Sequence, residues 1–133
     1  MDEAPDGFQK VLMDARCLSY PSEHFDHVTF FYSLMFMDTR TQEQAIREAA
    51  RVLKKDGFLH IWDADILSAY PEPFLTDLDI QLPGRIFHTT FGVISDIQNQ
   101  SAASVCRLCV KSGLRLIRQT SEEGQFHMVF APD

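Results

Sequence analysis

The stretch HVTFFYSLMFMDTRTQEQAIREAARVLKKDGFLHIW, residues 27–62, decides the fold of this chain. It opens with His27–Leu34, a run rich in β-branched and aromatic residues that is apolar on both faces, as expected of a central strand in a parallel sheet. A helical pattern follows, and Phe58–Trp62 is a second apolar run of strand length. Since strand, helix and strand with short loops form a right-handed crossover, the two runs are predicted to be adjacent parallel strands.

The helix between these strands has two candidate starts and one candidate stop. Thr41 with Gln44 three residues later is a capping box. Thr39 with Gln42 is the alternative start. Gly57 is expected to end the helix in the left-handed conformation. An apolar stripe should face the sheet, with Gln42 among the residues that face water. The stripe consists of Ala45, Ile46, Ala49, Ala50 and Leu53.

The segments on either side of this unit are shorter or less regular. Lys10–Met13 is predicted to be a brief strand near the start of the chain. Three prolines interrupt the stretch after Trp62, and Pro83-Gly84 suits a type II turn. The residues around that turn are predicted to form a hairpin over 78–92.

A second helix and two further strands are predicted to complete the chain. The helix runs over 101–111, and Gly113 is expected to stop it. The strands cover 114–118 and 125–130, with a short link centred on residues 121–124. So short a link requires the last two strands to be antiparallel.

Composition limits the classes of function. The chain has 133 residues, of which 45% are hydrophobic and 23% charged, and its formal net charge is −7. Neither a nucleic acid nor a membrane is expected as a partner, because both attract clustered Lys and Arg. The longest apolar run, Val28–Met37, is far too short to span a bilayer. Three cysteines, an odd number, predict reduced thiols and a cytoplasmic location.

Two sequence features could be functional sites but are explained by packing in the core. Cys106 and Cys109 have the spacing of a zinc or redox site, but no second ligand pair accompanies them and they lie within a predicted helix. Buried thiols are therefore favoured and no metal is predicted. A metal-binding or redox function is the alternative that this cysteine pair leaves open. His60 lies in mid-strand and is expected to be a satisfied core or supporting histidine.

The order of these pieces resembles the class I S-adenosylmethionine-dependent methyltransferases of the type 11 kind. In that family one strand ends in Asp-Ala, as at residues 14–15, and Phe-Asp opens the fourth strand, as at residues 25–26. A helix then closes with Arg-Val-Leu-Lys-Pro-Gly-Gly, where residues 51–57 here are Arg-Val-Leu-Lys-Lys-Asp-Gly. The resemblance covers roughly residues 10–130. It implies an α/β fold, the C-terminal part of a Rossmann-like methyltransferase sheet, mostly parallel with a final antiparallel strand.

The resemblance also implies which residues contact the cofactor, S-adenosylmethionine. Asp14 would accept a hydrogen bond from the adenine amino group, and the backbone of Ala15 would touch the ring. Phe31 and Tyr32 would lie near the cofactor at the end of the family's fourth strand. The alternatives are that Asp14 caps a loop and that the two aromatic residues belong to the core.

The methyl acceptor would face Met35, Asp63 and Asp65, at the ends of the family's fourth and fifth strands. The two carboxylates would orient a substrate amine or act as a general base. The alternative is that both are solvated ends of a strand. No catalytic residue is assigned, because an in-line displacement at a sulfonium carbon chiefly requires donor and acceptor to be aligned.

One part of the family pattern is not found in this sequence. The family binds its cofactor mainly with a Gly-x-Gly-x-Gly loop and an acidic residue that holds the ribose, and none of the six glycines here forms such a loop. Roughly 60 residues, about two strand–helix units, would supply these parts. Residues 1–133 are therefore interpreted as a single truncated domain with part of an adenine site. A homodimer, or a second chain that supplies the missing N-terminal half, is the expected partner.

The predicted function is transfer of a methyl group from S-adenosylmethionine to a small-molecule acceptor. A small molecule is favoured because the chain lacks a basic groove. The alternative is a non-catalytic methyltransferase-like assembly module that dimerises through its exposed sheet edge, since an unpaired apolar edge invites another strand.

Overall fold

The computed structural model describes residues 10–66, 74–93 and 100–133. In these ranges the chain forms two sheets, two α-helices and one short 3₁₀ turn. In chain order the elements are β1 (Phe25–Phe31), the 3₁₀ turn (Leu34–Phe36), α1 (Thr39–Val52), β2 (Leu53–Ala64), β3 (Phe74–Leu82), β4 (Arg85–Val93), α2 (Ala102–Lys111), β5 (Leu114–Glu122) and β6 (Gln125–Pro132).

The main sheet has four strands in the order β1-β2-β6-β5. β1 and β2 are parallel, with Phe30 opposite Ile61, whereas β6 runs antiparallel to both β2 and β5. Strands β1, β2 and β5 therefore point in one direction, and β6 is reversed. This topology confirms the predicted α/β fold, with a mostly parallel sheet and a final antiparallel strand.

Asp38 caps the start of α1. Its carboxylate accepts a hydrogen bond from the backbone N–H of Thr41 at 2.8 Å, and the helix begins at Thr39. The capping box predicted at Thr41 is therefore wrong. A carboxylate suits this position because it satisfies a free N–H group and lies at the positive end of the helix dipole.

Gly57 is not the helix stop that was predicted. The helix ends at Val52 and β2 begins at the next residue, so Gly57 lies inside β2 and has no positive φ. A Cβ atom at Gly57 would lie 2.7 Å from the carbonyl oxygen of Asp26 in β1 and 2.8 Å from a methyl carbon of Leu53. Glycine is required here because the neighbouring backbone passes too close for a side chain.

The apolar core lies between the main sheet and the two helices. The predicted stripe packs into it, although its last member, Leu53, is the first residue of β2 and not part of α1, and α2 adds Val105 and Cys109. From β2, Leu59 and Ile61 enter this core, and both are fully buried. Because side chains alternate along a strand, His60 and Trp62 project from the opposite face of the sheet.

The start of the chain differs from its prediction. Residues 10–14 form no strand in the structure, so the strand predicted at Lys10–Met13 is wrong. A strand requires a hydrogen-bonded neighbour, and β1 pairs with β2 alone among the described strands. β1 is therefore an edge strand, not the central strand that its apolar sequence predicted, and His27, Thr29 and Phe31 are exposed.

The second half follows the sequence prediction more closely. Gly84 in the β3–β4 turn has φ of +77°, as a type II turn requires, although the two strands extend beyond the predicted range 78–92. Ser101 caps α2, and Gly113 follows that helix with φ of +88°. The predicted antiparallel pairing of the last two strands is confirmed.

The cysteine pair belongs to α2. Cys109 is fully buried in the core and Cys106 is half-buried, which supports their interpretation as packed thiols. Burial raises the pKa of the Cys109 thiol well above its usual range. Within the described ranges, no group of three or more His, Cys, Asp or Glu side chains is placed to hold a metal ion.

Replacing Gly57 with alanine is expected to lower the free energy of unfolding by about 1–3 kcal/mol, because the new methyl group must displace backbone. Urea unfolding followed by circular dichroism measures the change. Asp56→Ala, at the exposed neighbouring position, is the control and should stay within about 0.5 kcal/mol of the parent chain. Equal stability of the two variants would contradict the close approach of β1.

Candidate ligand site at the carboxyl edge of the sheet

The carboxyl ends of the parallel strands β1 and β2 lie side by side. Phe31 is opposite Trp62 in the register, and the N–H of Tyr32 donates to the carbonyl of Trp62 at 2.8 Å. The 3₁₀ turn then leads the chain away from β1. In open α/β sheets ligands bind outside this edge, so it is the first place to look for a site.

Asp63 holds this edge together. Its Oδ2 atom accepts hydrogen bonds from the N–H groups of Leu34 at 3.1 Å and Met35 at 3.3 Å. Its Oδ1 atom accepts from the N–H of Ala64 at 2.8 Å and from Nε2 of Gln100 at 2.9 Å. The Asp63 side chain is fully buried, so its interpretation as a solvated strand end is wrong. Burial raises its pKa, while the hydrogen bonds oppose that rise.

Two buried glutamines extend the network around Asp63. Gln42 donates through Nε2 to the carbonyl of Leu34 and to Oε1 of Gln100, both at 2.8 Å. Gln100 also donates to the carbonyl of Ala64 at 2.8 Å. The expectation that Gln42 faces water is wrong, since it is 4% exposed. Its NH₂ group can be buried because the carbonyl of Leu34 and the side chain of Gln100 accept its hydrogen bonds.

Asp65 positions α2. Its carboxylate accepts a hydrogen bond from the N–H of Ala102, the first residue of that helix, at 3.2 Å. Its own N–H donates to the carbonyl of Gly124 at 2.7 Å. Unlike Asp63, Asp65 is exposed, so its carboxylate remains open to solvent at the edge of the sheet.

Tyr32 and Met35 form a small apolar cluster with Trp62 and Ile66. Tyr32 is 3% exposed, has φ of +52°, and its hydroxyl donates to Oε1 of Gln125 at 2.7 Å. Burial, and secondly the charge of Asp63, raise the pKa of the Tyr32 phenol, which therefore stays neutral and donates.

Phe31 differs from the residue that follows it. Its side chain is 42% exposed, so its interpretation as a core aromatic is wrong. Its ring meets the rings of Tyr32 and Trp62 edge to face, with centroids 5.0 and 5.9 Å apart. Phe31 therefore presents an accessible aromatic surface at the end of β1.

Asp14 and Ala15 lie in a tight turn, where the N–H of Cys17 donates to the carbonyl of Asp14 at 3.0 Å. The Asp14 carboxylate pairs with the Arg16 guanidinium at 2.7 Å, and hydrogen bonds from Arg16 lower the pKa of Asp14 to about 2. Ala15 packs against the core. Asp14 lines a cavity of about 480 Å³ between this turn and α1. The other lining residues are Arg16, Cys17, Gln44, Arg47 and Glu48.

A second cavity, of about 240 Å³, lies at the carboxyl edge itself, and we call it the edge cavity. Tyr32 and Trp62 line it together with residues from the end of β5, the β5–β6 turn and the start of β6. Those residues are Thr120, Glu122, Glu123, Gln125, Phe126 and His127. The structure thus brings Tyr32, Met35 and Asp63 together, while Asp14 borders a different cavity.

Aromatic and imidazole rings cover the sheet face beside the edge cavity. Trp62 stacks on His127 with centroids 4.1 Å apart, and His60 stacks on Trp62 at 5.8 Å. The Nε2 atom of His60 lies 3.1 Å from Nδ1 of His27. His60 is therefore half-buried and partnered on the open face of the sheet, outside the helix-side core. Burial lowers the pKa of both His60 and His127, which favours their neutral forms.

Comparison with known proteins agrees with this geometry. Residues 2–61 match the family described as methyltransferase domain. An S-adenosylmethionine-dependent methyltransferase from Clostridium acetobutylicum ATCC 824 superimposes with a TM-score of 0.62 at 11% identity, covering 92% of this chain and 63% of that chain. The chain carries a class I methyltransferase fold.

Two further structures share this methyltransferase fold. The PH0226 protein from Pyrococcus horikoshii OT3 has a TM-score of 0.63 at 18% identity, with 92% of this chain and 61% of that chain covered. The glycopeptide N-methyltransferase MtfA, complexed with S-adenosylmethionine, has a TM-score of 0.59 at 16% identity, with 92% and 64% covered. This chain thus spans about three fifths of the length of these structures. No curated protein sequence matches it.

Sequence reasoning missed part of the site on this methyltransferase fold. The β5–β6 turn reaches the edge cavity only because β6 inserts between β2 and β5, which no local pattern reveals. The acidic pair Glu122-Glu123 before Gly124 was the available signal, and it was interpreted only as a link between strands. None of the described helices is long and apolar enough to cross a membrane.

Asp63→Asn is expected to lower the free energy of unfolding by about 1–3 kcal/mol. All four partners of Asp63 are donors, so an amide NH₂ in place of either oxygen leaves buried N–H groups without an acceptor. Chemical denaturation at neutral pH measures the loss. Asp65→Asn keeps an acceptor at an exposed position and should change stability by less than about 0.5 kcal/mol. Equal effects of the two substitutions would argue against Asp63 as the anchor of the edge.

Proposed function

We propose that this chain is part of an S-adenosylmethionine-dependent methyltransferase that binds its cofactor at the carboxyl edge of the sheet and methylates a small-molecule acceptor. One observation carries the proposal. β1 and β2 are parallel neighbours whose carboxyl ends open together, on a fold shared with MtfA, which has been solved with S-adenosylmethionine. The carboxyl edge of such a sheet is where a nucleoside-sized ligand is held.

The cofactor would contact Asp14, Ala15, Phe31 and Tyr32. The Asp14 carboxylate accepts two hydrogen bonds from Arg16 at each oxygen, so an adenine amino group would replace one of these donors. The exposed ring of Phe31 offers a flat surface for the nucleoside. The Tyr32 hydroxyl donates to Gln125. Tyr32 would therefore shape the pocket, and its hydroxyl hydrogen would not bind the ligand.

The acceptor would lie beyond the ends of β1 and β2, near Met35, Asp63 and Asp65. Asp63 is buried, so its contribution is to fix the backbone of Met35. Asp65 is the exposed carboxylate of the pair. Since the reaction requires aligned partners and exclusion of water, these residues would act by positioning.

The remaining parts of the site would come from a partner. This chain spans about three fifths of the matched methyltransferase structures, so we propose that the full activity belongs to an assembly with the rest of the domain. A net charge of −7 supports a small-molecule acceptor over a nucleic acid. All three cysteines are free thiols, which supports a cytoplasmic location.

The edge of β1 supports a second candidate function, assembly without catalysis. β1 ends the main sheet, so the outer N–H and C=O groups of this apolar strand face away from β2. Phe31 and Phe58 on the adjoining face are 42% and 38% exposed. A homodimer formed by pairing of two such edges would cover both features.

Calorimetric titration with S-adenosylhomocysteine tests the cofactor site. Saturable binding is expected, and Asp14→Asn should weaken it roughly tenfold, because one charge-assisted hydrogen bond to adenine is reduced. Asp26→Asn removes an equal charge at the opposite end of β1 and should leave the affinity unchanged. No heat and no thermal shift at millimolar ligand would contradict cofactor binding by this chain on its own. Light scattering of the same samples then decides the assembly role, which a monomer at high micromolar concentration would exclude.

A further inference from the structure

The side chain of Arg51, in the last turn of α1, holds the loop that precedes β1. Its Nη2 atom donates to the carbonyl oxygen of Leu18 at 3.0 Å, and its Nη1 atom donates to that of Tyr20 at 2.9 Å. Nη1 also donates to the hydroxyl oxygen of Ser22 at 3.4 Å. A guanidinium suits this arrangement because its planar fork directs several N–H donors at fixed angles. One side chain thus joins three loop residues to the helix.

Glu48, about one turn earlier on α1, extends this contact, and we call Glu48 and Arg51 the loop clamp. One carboxylate oxygen of Glu48 accepts from Nε of Arg51 at 3.0 Å and from Nη2 at 2.7 Å. The same oxygen accepts from the N–H of Leu18 at 3.3 Å, so Leu18 is held through both its N–H and its C=O group. The hydrogen bond from Arg51 lowers the pKa of the Glu48 carboxyl, which keeps the pair charged at neutral pH.

The backbone at the end of α1 fixes the other end of the same loop. The N–H of Glu23 donates to the carbonyl of Arg51 at 3.0 Å, and the N–H of His24 donates to the carbonyl of Val52 at 2.8 Å. The last carbonyls of a helix require partners from outside the helix, and the loop supplies two of them. The loop over residues 18–24 is therefore attached to α1 at both of its ends.

The loop clamp acts directly beside the turn that carries Asp14 and Ala15. That turn closes with the hydrogen bond from the N–H of Cys17 to the carbonyl of Asp14, and the next residue, Leu18, is the first that the clamp holds. Residues 10–14 form no strand in the structure. The turn is therefore attached through the packing of Ala15 against the core and through the loop that follows it.

We propose that Arg51 is a positioning residue for the cofactor, because by holding Leu18 it keeps the Asp14–Cys17 turn in the conformation that binds adenine. The proposal rests on the methyltransferase function proposed above and deepens its cofactor site. Glu48 lines the cavity beside Asp14, whereas Arg51 does not, so Arg51 would act through the loop and not on the ligand. A turn released from the clamp would adopt the binding conformation less often, and the apparent affinity falls in proportion to that fraction.

Calorimetric titration of Arg51 variants with S-adenosylhomocysteine tests the positioning role. Arg51→Met keeps an aliphatic side chain and removes every donor, so the affinity should fall about tenfold as the binding conformation becomes a minor one. Arg51→Lys keeps the charge but not the fork and should show an intermediate loss. Arg107→Gln removes an equal charge from an exposed position on α2 and should bind as the parent chain does. Circular dichroism of each variant establishes that it remains folded.

Two further measurements separate positioning from a general loss of structure. The NMR order parameters of the Ala15, Cys17 and Leu18 amides should fall in Arg51→Met, while those of β2 stay unchanged. Asp14→Asn should weaken binding about tenfold in the parent chain but less than about threefold in the Arg51→Met background, because both substitutions act through the same turn.

The positioning role is overturned if Arg51→Met binds S-adenosylhomocysteine as tightly as the parent chain, or if the effects of Asp14→Asn and Arg51→Met simply multiply. Either result would leave the methyltransferase proposal standing. Absence of binding to the parent chain would instead remove cofactor binding by this chain and, with it, the positioning role. The order parameters require no ligand, so in that case they still decide whether Arg51 holds the turn: a fall supports the clamp, and unchanged values overturn it.

Discussion

The carboxylate of Asp63 accepts four hydrogen bonds where β2 ends, from the 3₁₀ turn, from its own strand and from Gln100. A buried carboxylate with fewer donors would be strongly destabilising, so these bonds form as a set. Together they fix how the chain leaves β1 relative to the end of β2. The positions of Tyr32 and Met35, and with them the edge cavity, depend on this arrangement.

The two faces of the main sheet have different surroundings among the described residues. One face packs against α1 and α2 in an apolar core, as a sheet in an α/β protein requires. The other carries His60, Trp62 and His127, which stack on one another and remain half-exposed. At the carboxyl edge this second face meets the acidic β5–β6 turn. A single edge thus combines an anchored backbone, stacked rings and two exposed carboxylates.

Most of the fold was predictable because it follows from local periodicity. The parallel pair β1 and β2 around α1, and the antiparallel pair β5 and β6, were correct for that reason. The errors arose where an outcome depends on distant neighbours. Lys10–Met13 is no strand because none of the described strands lies beside it, and Gly57 is required by the backbone of β1, not by a helix end. In the candidate site, the burial of Gln42 and Asp63 was missed because a sequence shows that a residue is polar but not which groups satisfy it.

Amide chemical-shift mapping tests the central claim, that the edge anchored by Asp63 is the ligand-binding edge. Uniformly ¹⁵N-labelled protein would be titrated with S-adenosylhomocysteine, and its backbone amide signals followed. Saturable shifts are expected at Ala15, Phe31, Tyr32 and Met35. Shifts confined to the β3–β4 hairpin or to α2, with those four signals unmoved, would contradict it.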